Sequence, residues 1–154
     1  MPPPQRCARV LVVEDHPIVL LGLRALLEKE PDLEVVAEAP SYDEALSARN
    51  RTAPDLVILP LRLGGELSGV ALCRELVESR PSTHVLVYSA FNSADEASAA
   101  FLSGAHSFVH KAEETDRLLD AVRSTIKGRR VFLLGAEVSE SVVRLSPDPP
   151  RRLV

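Results

Sequence analysis

Chemically capable side chains follow three of the apolar runs in this sequence. Glu14 and Asp15 end the first run, Ser89 comes after a later one, and Lys111 comes after a third. In an open parallel sheet the carboxyl ends of the strands meet at one edge, and ligands bind there. Two carboxylates with a hydroxyl and an ammonium are the groups that would hold a divalent cation and a phosphoryl group. The pattern predicts a polar site at that edge.

The central apolar run ends in a residue that lacks such chemistry. Leu56 to Leu59 is a continuous run rich in branched side chains, typical of a strand buried on both faces. Pro60 follows it, and proline belongs at or just past a strand end because it has no N–H for the ladder. Asp55 lies at the opposite end of the same strand. The sequence therefore predicts a proline where a reactive side chain would be expected.

Strands and helices alternate along the chain. The predicted strands cover 9–14, 33–37, 56–59, 83–88 and 105–110, and predicted helices begin near Pro17, Ser41, Val70, Ser93 and Glu113. Ser41 and Ser93 are each followed three residues later by glutamate, the signature of a capping box. This alternation implies right-handed crossovers onto a parallel sheet. The predicted fold class is doubly wound α/β, with five parallel strands and helices on both faces.

A length of 154 residues predicts one domain. We expect a disordered lead over 1–8, a folded domain over 9–128, and a linker with a weak helix at 137–145 over 129–154. A chain that ends in a linker is expected to be a truncated part of a longer protein. Cys73 lies on an apolar helix face and is predicted to be a small buried hydrophobe, because the two cysteines lack metal or disulfide spacing.

Charge and hydropathy exclude several classes of function. The net charge is −4 and the isoelectric point is about 5.6, whereas binding of nucleic-acid phosphates needs a basic face. We therefore expect no direct nucleic-acid contact by this domain. No apolar run approaches the ~20 residues of a membrane span and no secretory leader is present, so a cytoplasmic protein without membrane partners is expected. The sequence has no glycine-rich phosphate loop or nucleophile elbow, so an enzyme is not expected.

Four motifs within 9–128 resemble those of the receiver domain of bacterial two-component response regulators. They are Val-Leu-Val-Val-Glu-Asp-His-Pro, Pro-Asp-Leu-Val-Ile-Leu-x-Leu-Arg-Leu, Tyr-Ser-Ala and Ser-Gly-Ala-x-x-Phe-x-x-Lys, in the family's order and spacing. The chain is most similar to the branch whose receivers precede a helix-turn-helix DNA-binding domain. The resemblance implies a flavodoxin-like sheet with strand order 2-1-3-4-5 and a role in transcription regulation.

The resemblance also implies roles for individual residues. Glu14 and Asp15 match the acidic pair that helps to bind Mg²⁺. Ser89 matches the hydroxyl residue that contacts the phosphoryl group, and Lys111 matches the lysine that contacts the phosphate. Phe108 matches the aromatic switch position.

Pro60 falls on the phospho-accepting aspartate, which is the main departure from the family. Proline has no nucleophile, so an aspartyl phosphate cannot form there. The change also removes a Mg²⁺ ligand, so we expect Mg²⁺ binding to be weak or absent and no other cofactor. Asp55 is no substitute because it lies at the far end of the strand. A second departure is the loop after Arg62, which contains Gly64, Gly65 and an apparent one-residue insertion.

Each site residue also has a structural explanation. Two adjacent carboxylates need a cation, and we predict that Lys111 bonds Glu14 or Asp15 directly. Ser89 is more plausible as a turn or capping hydroxyl, and Phe108 as a buried core aromatic than as a rotating switch. A weaker hypothesis is that Arg62 projects into the vacated pocket and attracts an anion. The four histidines lack ligand spacing and are interpreted as locally bonded or at the solvent edge.

These observations leave two functional interpretations open. The first is a receiver-like domain that is not phosphorylated and regulates transcription through protein–protein contacts, as a homodimer. The family's usual pairing face is helix 4, strand 5 and helix 5, which 95–101 and 118–126 would flank. The chain's own C-terminal DNA-binding domain is the second expected partner, in the full-length protein. The alternative is a small-molecule sensor whose vacated acidic pocket binds a ligand.

Overall fold

The computed structural model describes residues 6–79, 82–90 and 94–133, with the side chain of Ala94 left out. Strands and helices alternate as predicted. The elements are β1 (Ala8–Val13), α1 (Pro17–Glu28), β2 (Leu33–Ala39), α2 (Tyr42–Thr52), β3 (Leu56–Leu59), α3 (Ser68–Ser79), β4 (His84–Ser89), α4 (Ala94–Leu102), β5 (Ser107–His110), α5 (Thr115–Ile126) and β6 (Phe132–Leu133).

In the described part of the chain the sheet has six parallel strands in the order β2-β1-β3-β4-β5-β6, so the predicted order of five strands is present and the number is wrong by one. The sixth strand lies within the stretch that was assigned to a linker. Phe132 pairs with Phe108 of β5, and its ring packs against Phe101 with 5.6 Å between ring centroids. Two residues are too few to show a strand periodicity, so only the tertiary pairing defines this edge.

The central strands are buried on both faces, as their unbroken apolar runs predicted. Leu11, Val57 and Leu59 belong to the core on one side of the sheet. Val10 and Ile58 belong to the core on the other side. This alternation follows from the two-residue period of a strand. Helices therefore cover both faces, and the edge formed by the carboxyl ends of the strands is left for a site.

Local sequence signals start two of the helices. Pro17 occupies the first turn of α1, where its missing N–H is not needed. Ser41 caps α2 by accepting a hydrogen bond from the Glu44 N–H, and its hydroxyl donates to the Glu44 carboxylate. This confirms Ser41 as the predicted N-cap of α2, while the Glu44 carboxylate bonds the Ser41 hydroxyl. Cys73 is fully buried in α3, and burial raises the pKa of its thiol to about 11.

Two predicted boundaries differ from the structure or lie outside it. β1 begins at Ala8, which pairs with Leu33, so the stretch 1–8 predicted as a disordered lead overlaps the first strand. The capping serine at 93 and the weak helix at 137–145 lie outside the described residues. Among the described helices, none has the length and apolar character needed to cross a bilayer.

Candidate functional site

The carboxyl ends of β1, β3, β4 and β5 gather the predicted polar residues at one edge of the sheet. The Lys111 ammonium lies 2.8 Å from Glu14 Oε1, which joins the end of β1 to the end of β5. Ser89, at the end of β4, accepts a hydrogen bond of 3.3 Å from the N–H of Leu61, next to Pro60. The sheet therefore brings together Glu14, Pro60, Ser89 and Lys111.

Glu14 is almost completely buried and fully bonded. Its side chain is 1% exposed, against 23% for Lys111. One carboxylate oxygen holds the Lys111 ammonium, and the other accepts hydrogen bonds from the N–H groups of Asp15 and His16 at 3.0 and 3.3 Å. The predicted direct bond between Lys111 and the acidic pair is confirmed. Because every donor is internal, a buried charge that would otherwise be costly is compensated.

Asp15 is held by the backbone of the loop after β3. Its Oδ2 accepts a hydrogen bond of 2.8 Å from the Gly64 N–H. Partial burial alone would raise the pKa of Asp15, but this bond and further hydrogen bonds outweigh burial and leave the pKa below its ordinary value. Its Oδ1 lies 3.2 Å from His16 Nδ1 without hydrogen-bond geometry, so this buried oxygen has no hydrogen-bond partner among the residues that the structure describes.

The loop that reaches Asp15 is a tight turn. Gly64 and Gly65 have φ of 62° and 82°, and Leu63 and Glu66 exchange backbone hydrogen bonds across them. Two successive positive φ values define a type I′ turn, which glycine adopts without strain. The two glycines noticed in the sequence therefore aim the Gly64 N–H at Asp15.

Pro60 is buried where β3 leaves the sheet. The backbone of α3 comes so close that a Cβ at Gly69 would lie 1.9 Å from the Pro60 carbonyl oxygen and 2.7 Å from Leu61. The Gly69 N–H also donates to the Leu61 carbonyl at 3.0 Å. Gly69 is therefore a contact point that fixes the path of the chain after Pro60.

Phe108 lies in the core, whereas Arg62 lies at the surface. Phe108 is fully buried, which agrees with the core interpretation of this aromatic. Arg62 forms an ion pair of 2.7 Å with Glu96 of α4 and is half exposed. The structure therefore brings Arg62 to α4 and not to Glu14 or Asp15. This pair ties the loop after β3 to the helix that follows β4.

One residue beside the site was not singled out in the sequence. His16 Nδ1 lies 3.2 Å from Glu14 Oε2, and ligand atoms of Glu14, Asp15 and His16 all fall within 4.8 Å of one another. The signal was adjacency to the acidic pair, since no ligand spacing is present. His106 lies just before β5, at the amino ends of the strands and away from the site. Its Nδ1 accepts a hydrogen bond of 3.0 Å from the Val85 N–H.

His106 also shows how burial acts on a histidine in this fold. Its ring packs edge-on against His84 with 4.9 Å between centroids. Burial, with smaller contributions from His84 and Arg130, lowers the pKa of His106 below its usual 6.5. His110, at the end of β5, accepts a hydrogen bond from the Ala112 N–H at 2.9 Å. These two rings are locally bonded, as the sequence interpretation proposed.

The family follows from comparison with known proteins. A family model for the response regulator receiver domain matches residues 10–123. This chain belongs to that family. Response regulator protein VraR from Staphylococcus epidermidis is 32% identical over 124 residues, which are 80% of this chain and 59% of VraR. The nitrate/nitrite response regulator NarP from Escherichia coli is also 32% identical over 124 residues, 80% of this chain and 57% of NarP. The chain thus spans little more than half the length of these relatives.

Solved structures agree with the receiver fold. A LuxR-family two-component response regulator from Aurantimonas superposes with a TM-score of 0.79 at 30% identity, covering 90% of this chain and 97% of that chain. A structure of two RcsB dimers bound to two parallel DNAs superposes with a TM-score of 0.78 at 25% identity, covering 92% of this chain and 72% of that one.

The side chains of this receiver fit a Mg²⁺ ion poorly as they are placed. Mg²⁺ requires a near-octahedral set of oxygen ligands. Here Glu14 holds the Lys111 ammonium, Asp15 holds the Gly64 N–H, and the end of β3 supplies Pro60, which has no side-chain oxygen. His16 adds an imidazole, a ligand suited to transition metals more than to Mg²⁺. The Lys111 ammonium and backbone N–H groups thus occupy both oxygens of Glu14 and Oδ2 of Asp15, so that Asp15 Oδ1 is the remaining carboxylate oxygen without a hydrogen bond from the described residues.

Proposed function

We propose that this receiver domain is not phosphorylated and regulates transcription through protein–protein contacts. The observation that carries the proposal is the place of Pro60, which is buried directly after the central strand β3 and next to Leu61, whose N–H donates to Ser89. Phosphotransfer to a receiver needs a carboxylate nucleophile, and proline has none. In this proposal the domain uses no Mg²⁺ and catalyses no reaction.

The bonding of the neighbouring carboxylates supports the proposal. Glu14 is 1% exposed and paired with Lys111, so its oxygens are not presented to a phosphodonor. Asp15 Oδ2 accepts the Gly64 N–H at 2.8 Å, so a backbone donor already occupies this oxygen. A carboxylate that replaced Pro60 as acceptor would have to leave these bonds.

Pairing of this domain would not depend on a phosphate. We propose that the face made by α4, β5 and α5 pairs two copies constitutively or under control of a ligand. Leu102, the last residue of α4, is 70% exposed, and among the described residues of α4, β5 and α5 it is the exposed large apolar side chain. The DNA-binding step would belong to a C-terminal domain of the full-length protein, because relatives named as transcriptional regulators are longer than this chain.

A phosphodonor experiment tests the central claim. The chain is incubated with acetyl phosphate and Mg²⁺, and the intact mass is measured before and after hydroxylamine. We expect no phosphoryl adduct. Pro60→Asp serves as the positive control for the reagent and Pro60→Ala as the control for the fold. A stoichiometric, hydroxylamine-sensitive adduct on the unchanged chain would overturn the proposal.

A second experiment tests the pairing face. Light scattering after size-exclusion chromatography gives the mass of the unchanged chain, Leu102→Glu and Ile18→Glu. Ile18 lies on α1 and is 85% exposed, so its variant is matched in chemistry but lies on another face. We expect a dimer that Leu102→Glu dissociates and Ile18→Glu leaves intact. If only Ile18→Glu dissociates the dimer, the pairing face includes α1 and the proposed α4-β5-α5 face is refuted. If the unchanged chain is a monomer, constitutive pairing is refuted.

A further inference from the structure

A cleft of about 500 Å³ runs beside the acidic site and along α1. Its α1 wall includes Val19, Leu23 and Leu26, and its other side includes Tyr88 of β4. Val19 and Leu26 are seven residues apart, which places them on one face of the helix. The cleft therefore has an apolar middle that is open to solvent.

Small residues of α1 give the cleft its depth. Gly22 lines it, and a Cβ built at Gly22 meets no atom within 4 Å. A glycine in a helix interior costs about 0.5–1 kcal/mol relative to alanine. Neither a close backbone approach nor a positive φ requires this glycine. The open space that it leaves belongs to the cleft.

A lysine stands at each end of the cleft. Lys111 lies at the carboxyl edge of the sheet, with its ammonium 5.9 Å from the centroid of the Tyr88 ring, and gives one hydrogen bond to Glu14. Lys29 caps the other end of α1 and makes no ion pair with any residue that the structure describes. Ten residues of helix separate Val19 from Lys29, a rise of about 15 Å.

The residues that line the cleft include both lysines and no carboxylate. An ammonium has three donors, so Lys111 keeps two for a ligand while it holds Glu14. Apolar walls favour a hydrocarbon chain, because burial of apolar surface is favourable in proportion to its area. A cation at each end favours an anion at each end of that chain.

We propose that this cleft binds an elongated apolar molecule that carries a carboxylate at each end, such as a medium-chain aliphatic dicarboxylate. One carboxylate contacts Lys111 and the other Lys29, and the chain lies between α1 and Tyr88. The site adjoins the pocket of Glu14 and Asp15 without using their oxygens. Binding therefore does not depend on whether the domain accepts phosphate, and the phosphodonor experiment and the binding experiment succeed or fail separately.

Tyrosine fluorescence can report binding, since the chain has two tyrosines and no tryptophan. Tyr42 lies away from the cleft, bonded to Glu75 between α2 and α3, so Tyr42→Phe leaves Tyr88 as the fluorophore. The probe is decanedioate, and the matched control ligand is 1,10-diaminodecane, of the same length and opposite charge. We expect saturable one-to-one binding of decanedioate, checked by calorimetry on the unchanged chain, and none of the diamine.

Variants locate the site. Gly22→Leu fills the cleft and should abolish binding while the melting temperature stays equal or rises. Lys29→Gln should weaken binding about three- to fivefold, as expected for one exposed ion pair. Arg51→Gln on α2, an exposed change of the same kind, should leave affinity unchanged. Equal binding of the diamine, unchanged affinity in a folded Gly22→Leu variant, or no saturable binding of decanedioate would each overturn the proposal.

Discussion

Replacing Lys111 by methionine tests how much the bond between the ends of β1 and β5 stabilises the fold. The ammonium lies 2.8 Å from Glu14 Oε1, and Glu14 is 1% exposed. At an effective dielectric constant of about 20, two charges at this separation attract by about 6 kcal/mol. Desolvation offsets much of this, and leaving one partner of a buried pair unpaired costs about 3–5 kcal/mol. The Lys111 side chain is 23% exposed, so water can partly take the place of its ammonium in the variant. We therefore expect the free energy of unfolding to fall by about 2–3 kcal/mol.

Urea unfolding at neutral pH, followed by far-UV circular dichroism, measures this loss as a shift of the midpoint at constant slope. Lys29→Met is the control: that lysine is exposed and makes no ion pair with the described residues, so the change should stay within about 0.5 kcal/mol. The double variant Glu14→Gln with Lys111→Met removes the buried charge, and it should recover at least half of the loss. A Lys111→Met variant as stable as the control, or a double variant no better than the single one, would refute the reasoning.

Three further substitutions test two points, the close backbone contact at Gly69 and the titration of His106. Gly69→Ala should lower the free energy of unfolding by more than about 3 kcal/mol in urea titrations, because its Cβ would collide with the Pro60 carbonyl, whereas Gly22→Ala should raise it by about 0.5–1 kcal/mol. The His106 ring accepts from the Val85 N–H and has a pKa below 6.5, so its contribution to stability is present above about pH 6.5 and is lost as the pH falls through the lowered pKa. Melting temperatures between about pH 5 and 8 should therefore fall less steeply at the acid end for His106→Asn than for the unchanged chain.

These two predictions have clear contrary outcomes. If Gly69→Ala unfolds at the same urea concentration as the unchanged chain, the backbone at Pro60 must move easily, and the account of the close approach fails. If His106→Asn keeps the same acid slope, groups other than His106 determine the pH dependence between about pH 5 and 8, and the account of His106 fails.

The positions of the candidate site residues were predictable because strands dictate them. In a parallel sheet every strand ends at the same edge, so residues that follow apolar runs must meet. The sequence predicted Glu14, Asp15, Ser89 and Lys111 at the carboxyl edge of the sheet. The hydrogen bond between Lys111 and Glu14 is a consequence of that shared position. The partner of Asp15 was not predictable, because a backbone N–H is present at every residue and only the turn at Gly64 selects one.

Two features that the sequence interpretation did not foresee have a common physical cause. β6 is two residues long and stays in the sheet through its pairing with Phe108 and the packing of Phe132. The weaker hypothesis placed Arg62 in the vacated pocket, but its long side chain reaches Glu96 of α4. Short strands and long exposed side chains take their positions from neighbours that are distant in the chain, and local patterns carry no record of those neighbours.

The sequence alone determined the parallel α/β class, the central strand ending in Pro60, and the polar residues at the strand ends, because apolar periodicity and strand direction are properties of local sequence. The tertiary structure decided which bonds those residues make. Glu14 takes the Lys111 ammonium, Asp15 takes the Gly64 N–H, and the cleft beside α1 forms only where helix and sheet meet. Each depends on distances between segments far apart in the chain, which only packing in three dimensions sets.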